Sequence, residues 1–140
     1  MSPRNGGRTS TCGRPQATIR LAQARKFLEV AELVAVEGDT IPASASVSAS
    51  LAVLGGIAAS DAACCAALGL RARGQDHKQA VRLLAEVSPS GDKASQQLDR
   101  LLSIKDSAQY GVIHLAGPEL RSAMRQARGL VEFAESRLRR

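Results

Sequence analysis

The sequence predicts an all-α protein, an antiparallel up-and-down bundle of four to five helices. Three observations carry this. Alanine and leucine abound, whereas there are only two Phe, one Tyr and no Trp, a composition that favours helices over strands. Apolar residues recur in alternating steps of four and three, the spacing of one helical face. Glycine, proline and polar residues break this pattern at short intervals, and short connections make helices antiparallel neighbours. A chain of 140 residues fits one domain with one core.

Residues 1–14 read as a basic flexible tail and 15–140 as the bundle. The first helix is expected from Pro15 to Val36, with Ala17, Leu21, Ala24, Leu28, Ala31 and Ala35 on one face. "EGDTIP" (37–42) breaks it: Gly38 can cap an end and Pro42 can start the next helix. The second helix, 43–69, is the longest. Val47, Leu51, Leu54, Ala58, Asp61, Cys65 and Leu68 form its ladder. Gly55 and Gly56 lie mid-helix, where each costs about 1 kcal/mol relative to Ala, a cost that close approach of a neighbouring helix would offset. A third helix, 76–87, starts at Asp76 as cap and turns Ala80, Leu83, Leu84 and Val87 inward. "SPSGD" is a loop. The fourth helix, 92–110, directs Leu98, Leu101, Leu102 and Ala108 inward and stops at Gly111. The fifth starts at "AGPEL" and carries Leu120, Met124, Ala127, Val131, Ala134 and Leu138 to the C-terminus.

The net charge of +6 is unevenly placed. Arg4, Arg8, Arg14, Arg20, Arg25 and Lys26 all precede the first acid, Glu29, and the rest of the chain is balanced. Such an arm can contact nucleic acid or an acidic partner, or serve only as a solubilising tail. Cys12, Cys64 and Cys65 have no metal-ligand spacing. Adjacent helical cysteines point about 100° apart, so the expectation is reduced thiols in a cytoplasmic protein. Residues 41–70 are poor in charge, but their Ser and Ala content and Asp61 favour a buried helix over a membrane span. No cofactor or metal is expected, because His77 and His114 lack nearby ligand company. No phosphate-binding glycine loop is present either: "VLGGIAAS" lies within a helix and lacks the following Lys-Ser/Thr.

Five segments in order, "ARKFLEVAELVA", "DAACCAALG", "DHKQAVRLLAEV", "LLSIKDSAQYG" and "ELRSAMRQARGLVEFAESRL", resemble the HEPN family of small helical bundles. The resemblance covers residues 24 to 138. It implies an up-and-down bundle, often homodimeric. Many members are ribonuclease toxins paired with a nucleotidyltransferase-like antitoxin. Their chemistry lies in an Arg-x(4–6)-His motif late in the bundle, with a polar residue on an earlier helix.

Metal-independent RNA cleavage needs a base for the 2′-OH proton, an acid for the leaving oxygen and a cation at the phosphate. Histidine suits the proton transfers and arginine the phosphate. Here Lys105 stands at the motif's arginine position and Tyr110 at its histidine position. Asp106 and Gln109 lie between them, and Gln109 cannot move the proton. Tyrosine is a poor base near neutral pH. His114 falls outside the spacing, beyond Gly111. The segment is either a degenerate site or a helix-terminal turn in which Lys105 is solvated and the Tyr110 ring packs. Asp61 is either the earlier-helix polar residue, facing Lys105 or Tyr110, or a surface or backbone-bonded carboxylate. His77 is expected to be a hydrogen-bonded helix-start residue.

These readings favour a non-catalytic HEPN-like interaction module of a toxin–antitoxin or defence-type system. It would dimerise through small-residue faces of the second helix, or through helices four and five, with a nucleotidyltransferase-like protein as partner and no membrane association. The alternative is a ribonuclease toxin that binds or cleaves RNA with Lys105, Tyr110 and Asp61 while Arg4, Arg8, Arg14 and Arg20 grip phosphates. A nucleotide-binding bundle is a third reading.

Overall fold

An alanine-rich helix that is apolar on every side belongs at the centre of a bundle. The computed structural model, which describes residues 8–74 and 76–140, places such a helix there. The element order is β1 (Thr9–Thr11), α1 (Arg14–Ala35), α2 (Pro42–Leu68), β2 (Leu70–Ala72), α3 (His77–Ala85), α4 (Gly91–Ser103), α5 (Lys105–Tyr110) and α6 (Gly117–Leu138). The chain is essentially all-α, with α2 packed between α1 and α6.

Small side chains let α2 take this place. Ala49, Ala52, Ala58, Ala59, Ala62 and Ala63 are fully buried. A Cβ on Gly55 would sit 3.3 Å from Phe27 Cβ of α1, and one on Gly56 would sit 2.2 Å from Leu101 Cδ2 of α4. The two glycines therefore admit neighbours on two sides. The small-residue face of α2 is occupied within the chain and is not available for the expected dimer contact. α2 is long and apolar enough to cross a bilayer, yet most of that stretch is buried in the bundle.

Several helix ends follow their local signals. Asp76 accepts the Gln79 backbone N–H at 3.1 Å, as an N-cap should. Gln16 Oε1 accepts the Gly13 N–H at 2.8 Å and Glu119 Oε1 the Ala116 N–H at 3.2 Å. The expected fourth helix is divided at Ile104 into α4 and α5. The Ser103 hydroxyl donates to the Arg100 carbonyl at 2.6 Å, a local bond that competes with helix propagation. Leu83, Leu84, Leu98, Leu101 and Leu130 fill the core where α3, α4 and α6 meet α2.

The N-terminal tail requires correction. Residues 1–7, with Arg4, lie outside the described residues. Thr9–Thr11 pair antiparallel with Leu70–Ala72, in the register Thr9↔Ala72, Ser10↔Arg71 and Thr11↔Leu70. The Cys12 N–H then donates to the Gly69 carbonyl at 3.0 Å. Gly69 holds φ at 70°, a left-handed conformation that glycine adopts without strain. This turn brings Cys12 beside Cys65, with Cα atoms 5.2 Å apart, and the two form a disulfide. The reading of three reduced thiols is thereby corrected; Cys64 alone is free, and buried. Stable disulfides are rare in the reducing cytosol, so the crosslink removes the support that free thiols gave to a cytoplasmic setting.

One end of the α1–α2 hairpin leaves apolar side chains in solvent. Leu33 and Val36, near the end of α1, are 67% and 83% exposed, and Ile41 and Val47, around the start of α2, are 47% and 51% exposed.

Candidate functional site

The residues expected to form one site divide between two places. The first lies where α3, α4 and α5 meet around a cavity of about 530 Å³. Val81 and Leu102 supply its apolar lining, and His77, Arg82, Lys105 and Asp106 are among its charged or titratable residues. Ile104 breaks the α4–α5 line and so sets Lys105 at the first position of a new helix, across from the start of α3. His77 occupies the first turn of α3 because Asp76 caps that helix.

The hydrogen bond expected of His77 is not made by its Nε2. Its Nε2 is buried and has no hydrogen-bond partner among the described residues. Burial lowers its pKa first, and the Lys105 ammonium lowers it further, against the carboxylates of Asp76 and Asp106. The ring is therefore neutral at pH 7, the form that can accept a proton. Lys105 Nζ lies 5.4 Å from the centroid of the Tyr110 ring, a cation–π contact. Tyr110 itself is 72% exposed and does not line the cavity. Gln109 is half-buried, and His114 is exposed in the α5–α6 connection.

Asp61 does not join them. Its Oδ2 accepts Arg20 Nε at 3.0 Å, lies 3.0 Å from Arg20 Nη2, and lies 3.8 Å from Arg71 Nη1. The expectation that Asp61 faces Lys105 or Tyr110 is corrected: the β1–β2 pairing brings Arg71 over the end of α2, and α1 brings Arg20 from its other flank. Burial still dominates, and raises the Asp61 pKa against the pull of Arg20 and then Arg71.

Of the arginines proposed to grip phosphates, Arg14 and Arg20 have side chains engaged within the chain, and Arg8 is held through its backbone. Arg20 holds Asp61. The Arg14 guanidinium donates to the Leu138 carbonyl at 2.6 Å and to the Arg140 carbonyl, tying the start of α1 to the C-terminus. The Arg8 backbone N–H reaches Asp76 Oδ2 at 3.4 Å, and its carbonyl accepts the Arg73 N–H at 3.1 Å. These three belong to the folded body.

Two groups escaped sequence reasoning. Arg71 is placed by a three-residue strand with no apolar alternation to announce it. The nearness of His77 to Lys105 depends on the α3–α4 packing angle, which local periodicity does not encode. Chemically, the first site offers one neutral imidazole, three cations (Lys78, Arg82 and Lys105), the carboxylates of Asp99 and Asp106 and an apolar wall, while the second offers two guanidiniums organised by a buried carboxylate. No protein-family model matches the chain, and no curated protein matches it significantly.

Proposed function

We propose that the chain is a HEPN-like helical interaction module without ribonuclease activity, acting as a homodimer in a toxin–antitoxin or defence-type pair. The observation that carries this reading is the dispersal of the expected catalytic set. Asp61 is spent on Arg20 and Arg71, Tyr110 projects into solvent, and only Lys105 and Asp106 of that group line the cavity. The apolar residues Leu33, Val36, Ile41 and Val47 support association, since neighbouring exposed aliphatic side chains on a small domain commonly mark a protein contact. The nucleotidyltransferase-like partner rests on the family resemblance alone.

A second reading, an RNA-binding or RNA-cleaving bundle, is favoured by one observation: His77 and Lys105 share a cavity with Arg82. A neutral imidazole beside cationic side chains is part of what RNA cleavage requires.

Two measurements test the proposal. Purified protein incubated with RNA is expected to leave it intact; cleavage that Lys105→Ala/Tyr110→Ala or His77→Ala abolishes would establish the second reading instead. Sedimentation at micromolar concentration is expected to show a dimer. Leu33→Lys/Val36→Lys is expected to weaken that dimer by about tenfold or more, as buried apolar anchors do. A wild-type monomer would count against the interface.

A further inference from the structure

Beside the Asp61 ion pair lies a recess of about 400 Å³ lined by Gln16, Ile19, Arg20 and Gln23 of α1 and by Arg71 of β2. The four α1 residues are spaced three, four and seven apart, so they share one helical face. We propose that this recess is a carboxylate-binding site for an acidic group of a partner protein, held between Arg20 and Arg71. The inference does not depend on whether the bundle cleaves RNA.

Hydrogen-bonding capacity is the first argument. Gln16 Oε1 is engaged by the Gly13 N–H at 2.8 Å, and Gln23 Oε1 by Arg20 Nη1 at 2.7 Å. Each glutamine keeps both NH2 donors free, while its oxygen already accepts one bond. Arginine has no acceptor at all. The polar lining of the recess is thus dominated by donors, the two guanidiniums and two NH2 groups, which suits an oxyanion better than a cation.

Charge sets the class of oxyanion. Asp61 is buried behind the lining, and two guanidiniums face it. The cluster carries one net positive charge. A carboxylate brings it to neutrality. A phosphate monoester would leave it negative beside a carboxylate already penalised by burial. Asp61 also does for this site what a second layer of ligands does elsewhere: it fixes Arg20 through Nε and Nη2, so that the guanidinium is oriented before any ligand arrives. Arg71 is 40% exposed at its side chain and reaches Asp61 only at 3.8 Å, so most of its planar fork remains for a ligand.

The exposed Ile19, 59% accessible, argues for a protein source. An acidic side chain on a partner would bring a neighbouring apolar residue against Ile19, whereas a free carboxylate would leave it in water.

The test is a titration of the full chain followed by the Nε–Hε NMR signals of Arg20 and Arg71. Three probes are used: acetate, a blocked pentapeptide with one central glutamate between leucines, and inorganic phosphate. Saturable shifts with the peptide, at least about tenfold tighter than with acetate, are expected from the added apolar contact. Arg71→Gln should weaken peptide binding by about tenfold or more, as loss of a charge-assisted fork does. Gln23→Leu, a change on an exposed helix face, provides a second variant that keeps the fold and should also weaken binding. Equal affinity for acetate and peptide would overturn the protein source, and tighter binding of phosphate would overturn the carboxylate class. The absence of saturable shifts with all three probes, in a chain whose other signals are native, would overturn the site.

Discussion

Cys12→Ser is expected to lower the stability of the fold by about 4 kcal/mol. The Cys12–Cys65 bridge spans 53 residues, and closing a loop of that length removes much of the freedom of the unfolded chain. The bridge also anchors β1, which pairs with β2 and so positions Arg71. Urea denaturation checks this: the midpoint should fall in Cys12→Ser, and a reductant should produce a similar fall in wild type but none in the variant. A wild-type midpoint that ignores reductant, equal to that of the variant, would mean that the bridge does not hold the protein together in solution. In the wild type, Cys64 is not expected to displace Cys12 from the bridge by exchange. Burial pushes its thiol up to about 12, with Asp61 adding to the shift, and a thiol without thiolate character does not attack disulfides.

The second large effect concerns the buried carboxylate. Arg20→Ala is expected to cost about 3 kcal/mol at neutral pH, because it leaves Asp61 with only the distant Arg71. Asp61→Asn is expected to cost less than about 1 kcal/mol, since burial of the charge already outweighs what the arginines return. The double variant should resemble Asp61→Asn, not the sum of the two. Additive losses would contradict a shared ion pair.

The pH dependence follows from the sign of the shift. Burial raises the Asp61 pKa above its ordinary 3.8. A raised carboxylate favours folding in its protonated form, so its contribution is greatest below 3.8 and is lost as pH rises through the folded-state value. Arg20→Ala raises that value further, because Arg20 is the largest lowering influence. The cost of Arg20→Ala should therefore be small in acid and grow toward neutral pH, and Asp61→Asn should abolish that dependence. Urea midpoints of wild type and the three variants across this range provide the check. A cost that is independent of pH would show that Arg20 acts through packing and not through Asp61.

The helices were legible because each is written locally. The four-three ladders of α1 and α6, the Asp76 cap and the Pro118 start all depend on residues within a few positions of one another. The unusual pair Gly55–Gly56 signalled close approach, and α1 and α4 pack there. The α2 ladder was less reliable. Val47 and Leu54 are 51% and 38% exposed, while residues off the ladder such as Ala59 and Ala62 are fully buried. A helix uniformly rich in small apolar residues carries no strong face, and its orientation is set by its neighbours.

The candidate site was legible only in part. Lys105 and Asp106 do line a cavity, but the histidine beside them is His77, from a different helix and nearly thirty residues earlier. Asp61 was singled out correctly as a costly carboxylate on an apolar stripe. Its partners could not be read, because Arg20 lies 41 positions away and Arg71 rides on a strand too short to show a period.

The sequence by itself therefore determined the class of fold, the order of the main helices and the buried faces of α1, α3 and α6, since these follow from propensity, capping and periodicity along a continuous stretch. The tertiary structure alone decided the β1–β2 pairing, the Cys12–Cys65 bridge, the separation of Asp61 from Lys105 and the meeting of His77 with Lys105. Each of these joins residues distant in sequence. Which distant residues meet is settled by how the helices pack and where the chain turns between them, and no local pattern carries that information.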